Sequence, residues 1–330
     1  MRVPETRIPA RGIPTNIIRP LTGNHRLKDY LSNKWNTMPS SRYTLMGVLL
    51  LFSLLLFSSP ALAAEVLIVG DIQYKPVADV VSEIKSGLRW QVKEYAIADV
   101  KGKLDGIVER ENARIVVALG MDAVGEALRL PPSIAVVYGL VIAPPKSARS
   151  NVTGVYMSTP ASEYVSTVRK YLPSIKKVSV VGSQNLLNVL LGSDRAQVAA
   201  YHVGSSSDLV NTLGRLGEAD ALLLLPDVNL LTSSVMENVY LFSFRKNIPL
   251  LGISEGNVKQ GSLFALVFDP KSVSRQIGEK VQNLLKGVAA ADIPPSPPRK
   301  FNLFVNTNTA RKMGIDIPDE MLKKARRTYQ

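Results

Sequence analysis

The chain has 330 residues, no Cys, two His, and 40 Lys and Arg against 27 Asp and Glu, a formal net charge of +13. Without Cys there are no disulfides, thiolate metal sites, Cys nucleophile or lipidated Cys at an export cleavage site. The only His residues, His25 and His202, supply no zinc-binding constellation. The basic excess does not mark a nucleic-acid binder: the first 63 residues carry eight Arg and Lys against two acids, and the rest of the excess is dispersed among 25 acids. The dense runs Pro298-Arg299-Lys300 and Lys323-Lys-Ala-Arg-Arg327 have neither an aromatic platform nor a phosphate-binding glycine loop beside them.

Leu45 to Phe57 is an apolar run of 13 residues, followed by Ser58-Ser-Pro-Ala-Leu-Ala-Ala64. As a helix this run rises about 20 Å, short of the roughly 30 Å hydrocarbon layer. An apolar core, a Pro-containing break and small residues at a cut after Ala63 read as a cleaved export signal rather than an anchor. Met38 to Met46, with Arg42 for charge, makes an ordinary start to such a signal. The expectation is therefore that residues 1–37 are a start-site artefact, residues 38–63 a signal peptide cleaved near Ala63/Ala64, and the mature protein exported and not a lipoprotein.

Beyond the leader the length suits about two domains. Val66-Leu-Ile-Val69, closed by Gly70-Asp71, reads as a buried strand, and Val77, Val80, Val81 and Ile84 recur at helical spacing. Strands are expected at 90–95, 114–119 and 133–138, with a helix at 122–129. Ile142 to Ser150 has no apolar period and is read as a crossing between lobes. A second series follows. Thr159-Pro160 starts a helix that ends at Pro173, and strands are expected at 177–181, 221–225, 249–253 and 262–268. A helix at 232–245 sits among them, and Asp269-Pro270 starts another carrying Val273, Ile277, Val281 and Leu284. Pro294 to Pro298 is a stiff connector. A short helix after Asn306 and a final basic helix are expected to close the chain. The expected divisions are 64–143 as the first part of lobe I, 144–268 as lobe II, and 269–330 crossing back to lobe I.

Strands apolar along their whole length, alternating with helices, belong to an α/β fold with parallel sheets covered on both faces. Ligands of such sheets bind beyond the carboxyl ends of the strands. That rule selects Asp71, Gln73 and Tyr74, then Gly120, Met121 and Asp122, then Tyr138, from the first series. From the second it selects Ser183 and Asn185, Asp227 and Asn229, and Ser254 and Asn257. Each has a plainer structural reading as a cap, a turn or a core aromatic. Together they form a polar set with two aromatics, suited to a modest polar ligand, with Tyr138 and Asp227 expected to face one cleft from opposite lobes. There is no GxSxG, Walker or GxGxxG motif, His202 lacks an assignable partner, and no catalytic residue, metal ligand or cofactor is expected.

Several motifs in order also resemble a known family. They are Val117-Ala-Leu-Gly120, Ile134-Ala-Val-Val-Tyr138, Ser150-Asn-Val-Thr-Gly-Val155, Tyr171-Leu-Pro173 with Lys177-Val178, and Ala219-Asp-Ala-Leu222 with Pro226-Asp227. Ile248-Pro-Leu250, Gln260-Gly261, Asp269, Arg275-Gln-Ile-Gly278, Ala291-Asp-Ile-Pro294, Val305-Asn306, Met313-Gly-Ile315 and Ile317-Pro318 continue the series. Residues 113–328 thus resemble the periplasmic substrate-binding proteins of ABC transporters, in a subgroup related to tryptophan- and tyrosine-binding components. The resemblance implies a two-lobed, periplasmic-binding-protein-like fold, each lobe a parallel sheet flanked by helices. It also implies a monomer in the periplasm that binds a small polar or aromatic metabolite, an amino acid among the candidates, and serves an inner-membrane permease. A ligand-sensing or interaction protein on the same fold, without a permease, is the alternative. Leu140-Val-Ile-Ala-Pro-Pro145 stands where similar proteins carry an Asp-Pro-bearing stretch.

Overall fold

Strands that are apolar on both faces need cover on both faces, and the chain supplies it with two helix-flanked sheets. The computed structural model describes residues 65–330; the leader and its cleavage site lie outside the described residues. The first lobe contains β1 (Val66–Gly70), α1 (Lys75–Ser86), β2 (Val92–Ala96), α2 (Ile97–Val100), α3 (Leu104–Glu111), β3 (Ile115–Leu119), α4 (Met121–Ala127), β4 (Ala135–Val141) and β5 (Val152–Tyr156). Its strand order is β2-β1-β3-β4-β5, and every neighbouring pair is parallel.

The second lobe contains α5 (Ala161–Tyr171), β6 (Val178–Gly182), α6 (Gln184–Leu191), β7 (Ala199–His202), α7 (Ser206–Leu213), β8 (Ala221–Leu224), α8 (Ser233–Lys246), β9 (Leu250–Gly252), α9 (Glu255–Gln260) and β10 (Phe264–Phe268). The chain then crosses back as α10 (Pro270–Leu285), which packs against α1, β4 and β5 of the first lobe. Its apolar stripe of Val273, Ile277 and Val281 is fully buried against Val66, Ile68, Val80 and Val117. Asp269 caps it, accepting the Lys271 N–H, and Pro270 occupies the first turn, where no donor is needed.

The ends of the lobes differ from the expected divisions. β5 pairs with β4, so the first sheet continues to Tyr156 rather than ending at residue 143. A parallel partner usually needs a helical crossover. Here the return, residues 142–151, is instead pinned to backbone carbonyls: Arg149 donates to those of Leu128 and Leu130, and Asn151 donates to that of Ile134.

After α10 the Pro-rich connector lies along β5. Ser296 exchanges backbone hydrogen bonds with Gly154 and Tyr156, Thr153 donates to the Ile293 carbonyl, and Gln276 and Lys280 donate to those of Pro297 and Pro294. The chain is thereby delivered to the open edge of β10. There β11 (Phe301–Asn306) pairs antiparallel, so the tail joins the second sheet and not the first. α11 (Thr307–Lys312) and α12 (Asp319–Lys324) follow, and the expected final helix stops at Lys324. Ala325–Tyr329 forms β12 instead, held by Arg327 and Tyr329 donating to Glu255. The second sheet runs β12-β11-β10-β9-β8-β6-β7.

One hydrophobic cluster is continuous across the lobes, from Val69 and Val116 through Tyr156 and Tyr164 to Leu223 and Leu266. Gly154 on β5 leaves room for the ring of Tyr138 on β4, and a Cβ there would overlap both ring and backbone. Gly154→Ala is therefore expected to lower unfolding stability by about 2–3 kcal/mol in urea titrations. Gly125→Ala, in α4 with open space around it, should be neutral or gain up to about 1 kcal/mol.

Candidate functional site

The carboxyl ends of strands from both sheets converge where the chain crosses between lobes. Ile142 beyond β4 and Met157, Ser158 and Thr159 beyond β5 meet Leu225 and Pro226 beyond β8, Ile253 beyond β9, and Leu266 and Phe268 of β10. They enclose a cavity of about 130 Å³, with Tyr164 of α5 as a further wall. The polar groups at this floor are already engaged. Ser158 Oγ donates to the Ile142 carbonyl at 2.6 Å and Thr159 Oγ1 to that of Leu266 at 2.9 Å. The Tyr164 hydroxyl is 2.9 Å from the Gly252 carbonyl and 3.2 Å from that of Leu266, and its ring stacks on Phe264 with centroids 6.0 Å apart. What remains to meet a ligand is apolar. Burial pushes the Tyr164 phenol above its ordinary value, so it stays protonated as a donor.

A larger cavity of about 650 Å³ adjoins this floor, opening between α1 and α10 and sharing Met157 and Phe268 with it. Leu140 lines it and is held in the left-handed region at φ 55°, a conformation costing a branched residue about 1–2 kcal/mol. The register of β4 with β5 shifts at this point, and the left-handed residue carries that shift.

The residues selected by the carboxyl-end rule lie mostly outside the linings of these two cavities. Asp71 and Gln73 are exposed after β1, and Tyr74, 61% exposed, is the one selected residue that lines either cavity. Met121, 60% exposed, and Asp122 open α4. The Gly120 N–H donates to the Gly139 carbonyl and is spent within the sheet.

Tyr138 was expected to face the cleft and is instead a core residue, 1% exposed, its hydroxyl without a hydrogen-bond partner among the described residues. Its side chain lies on the sheet face covered by the apolar residues of α4, because β4 alternates and position 138 falls inward. Burial raises its phenol too, with a smaller contribution from Tyr156.

In the second lobe Asn185 and Asn229 are exposed, and Ser183 precedes α6 without capping it. Asp227 Oδ1 accepts the Asn229 N–H at 3.0 Å, which makes a local turn beside Pro226. Ser254 caps α9 through the Asn257 N–H, and Asn257 Oδ1 accepts the Ile253 N–H, so this pair shapes the strand-to-helix turn. Met157, Ser158, Leu266 and Phe268 of the floor flank the two Pro-marked crossings, Thr159-Pro160 and Asp269-Pro270. That was the available signal for Met157, Ser158 and Phe268.

Residues 134–329 match the model of the ABC transporter substrate binding protein family. The chain belongs to that family. Its members bind and carry rather than catalyse. Among curated proteins it is 23% identical over 174 residues to a tyrosine-binding protein of Clostridioides difficile, covering 50% of each chain. It is 33% identical over 73 residues to an uncharacterised protein of Rickettsia prowazekii, covering 22% of this chain and 24% of that one. The chain thus matches half or less of the length of these relatives.

Two solved structures show the shared fold. One is a ligand-free, open substrate-binding protein with adhesive properties from Clostridium difficile, with TM-score 0.58, 15% identity, and coverage of 81% of this chain and 99% of that one. The other is a domain in complex with L-Trp from Streptococcus pneumonia, with TM-score 0.52, 18% identity, and coverage of 80% and 99%.

Two conservative substitutions separate a hydroxyl that fastens the floor from one that is merely enclosed. Tyr164→Phe is expected to cost about 1–2 kcal/mol, because buried carbonyls lose their donor. Tyr138→Phe, which removes an unpartnered hydroxyl, should be neutral or gain about 1 kcal/mol. With the folded phenol of Tyr164 raised, its contribution is complete below the unfolded value near pH 10 and lost as pH rises above it. Denaturation curves from about pH 8 to about pH 11 should accordingly fall less steeply for Tyr164→Phe than for the unaltered protein.

Proposed function

We propose that this protein is the exported substrate-binding component of an ABC transporter, holding a small ligand between its lobes and presenting it to a membrane permease. The observation that carries this reading is the convergence of strand ends from both sheets on one floor built from the crossing segments. A ligand on that floor touches both lobes and the segments about which they turn, so its differential affinity for a closed arrangement can shift the population of lobe positions. Export is supported by the apolar run and small-residue cut site before Glu65. Among the described residues, no helix is long and apolar enough to cross a membrane.

The floor favours a ligand with an apolar body. Its hydroxyls are engaged with backbone carbonyls, leaving Ile142, Leu225, Ile253 and Phe268 as the contact surface. Aromatic amino acids are candidates for the same reason, since their side chains can supply that apolar body.

A metabolite screen by thermal shift, followed by small-angle scattering, tests the proposal. A true ligand at 100 times its Kd should add about 2.7 kcal/mol of stability and reduce the radius of gyration. Ile142→Trp, which fills the floor, should abolish both responses while leaving the far-ultraviolet circular dichroism unchanged. Stabilisation without compaction, or an unaltered response in Ile142→Trp, would count against the cleft as the binding site.

A further inference from the structure

The cavity between α1 and α10 carries information about ligand chemistry that the floor does not. Val77, Val80, Leu140, Met157 and Phe268 make most of its wall apolar, and Tyr74 stands at its edge. Its volume of about 650 Å³ falls in the range of small-molecule sites. Besides Tyr74, three ionisable side chains reach it: Asp79, Glu83 and Lys271. The two acids already have cations, Asp79 with Lys75 at 3.3 Å and Glu83 with Arg275 at 3.3 Å. Lys271 is different. Its backbone N–H donates to Asp269, while its exposed ammonium makes no hydrogen bond or ion pair among the described residues.

An apolar pocket with one uncommitted cation at its mouth matches a molecule with an apolar body and one anionic end. We infer that the ligand entering this cavity is an amphipathic carboxylate, aliphatic or aryl-alkyl, whose head meets Lys271 and which needs no ammonium. The inference rests on the binding role proposed above and narrows its ligand class. The apolar body supplies most of the affinity, since area removed from water adds about 25 cal/mol per Å². An ion pair with an exposed Lys is modest, so the head discriminates between ligands more than it holds them. Because Met157 and Phe268 are walls of both cavities, a body lying here also reaches the crossing segments, and its binding is linked to lobe closure.

The test is calorimetric titration of the purified chain with two matched series: hexanoate, hexanol and hexylamine; and phenylpropanoate, phenylpropanol and L-phenylalanine. Each acid is expected to bind about three- to tenfold more tightly than its alcohol, with the advantage shrinking as salt is raised. The amine should bind more weakly than the alcohol. Lys271→Met should remove the advantage of the acid without changing alcohol binding, and Lys271→Glu should move the preference to the amine. Leu140→Trp should weaken every member of both series.

Acid and alcohol binding equally, or an acid preference that survives Lys271→Met, overturns the assignment of the head. L-phenylalanine binding more tightly than phenylpropanoate, or hexylamine more tightly than hexanoate, overturns it in favour of ammonium recognition, while the binding role stands. If neither series binds but another metabolite compacts the protein, the ligand class is wrong and the binding role is intact. If no compound of any class compacts it, both fail.

Discussion

The Tyr164 hydroxyl, directed at the carbonyls of Gly252 and Leu266, is the interaction that holds the first helix of the second lobe at the floor between the lobes. A phenol enclosed in an apolar core must find an acceptor or lose a water hydrogen bond for nothing. Here the acceptors are the backbone carbonyls of Gly252, the last residue of β9, and of Leu266 within β10. The bond therefore fixes the first crossing helix, α5, against the second sheet. Thr159 adds a second tie to the same Leu266 carbonyl, from the residue at which β5 hands over to α5. With these hydroxyls facing the backbone, the floor between the lobes is left apolar. The polarity of the site follows from how the hinge is fastened.

The same economy of polar groups recurs in the Pro-rich connector. Thr153, Gln276 and Lys280 are all buried, and each donates to a connector carbonyl. Lys280 has no carboxylate within ion-pair range among the described residues, and burial holds its ammonium below the usual lysine value. Its donation to Pro294 gives the buried head a partner. Prolines lack N–H groups but keep their carbonyls, so apart from the Ser296 N–H this Pro-rich segment is gripped from the carbonyl side. The donors on α10 and β5 do that, and the segment becomes a fixed strut carrying the chain back to the second sheet.

Much of the architecture was legible from local pattern. Apolar runs such as Val66–Val69, Arg114–Leu119 and Ala221–Leu225, each ended by Gly, Pro or Asp, mark buried strands that lie within a residue or two of β1, β3 and β8. Asp269-Pro270 starts α10 as a cap and first-turn pair should. The site was less legible. Tyr138 carries no local mark of which face of β4 it takes, since Val137 and Tyr138 are both apolar enough to be buried. Asn257 and Gly120 sit near strand ends as the general rule requires, but Asn257 closes its own turn and the Gly120 N–H is taken by the neighbouring strand.

The sequence by itself determined the alternation of buried strands and helices and the two series they form. These depend on side-chain polarity at short range and on caps and prolines that act within a turn. Tertiary structure alone decided that β5 belongs with β4 and that β11 and β12 complete the second sheet. Those pairings are settled by long-range hydrogen bonds from Arg149, Asn151 and the connector-gripping residues, each joining positions far apart in the chain or outside any regular element. It also decided which groups at the strand ends are free. A donor's availability depends on whether a carbonyl from another strand lies within reach, and no local pattern records that distance.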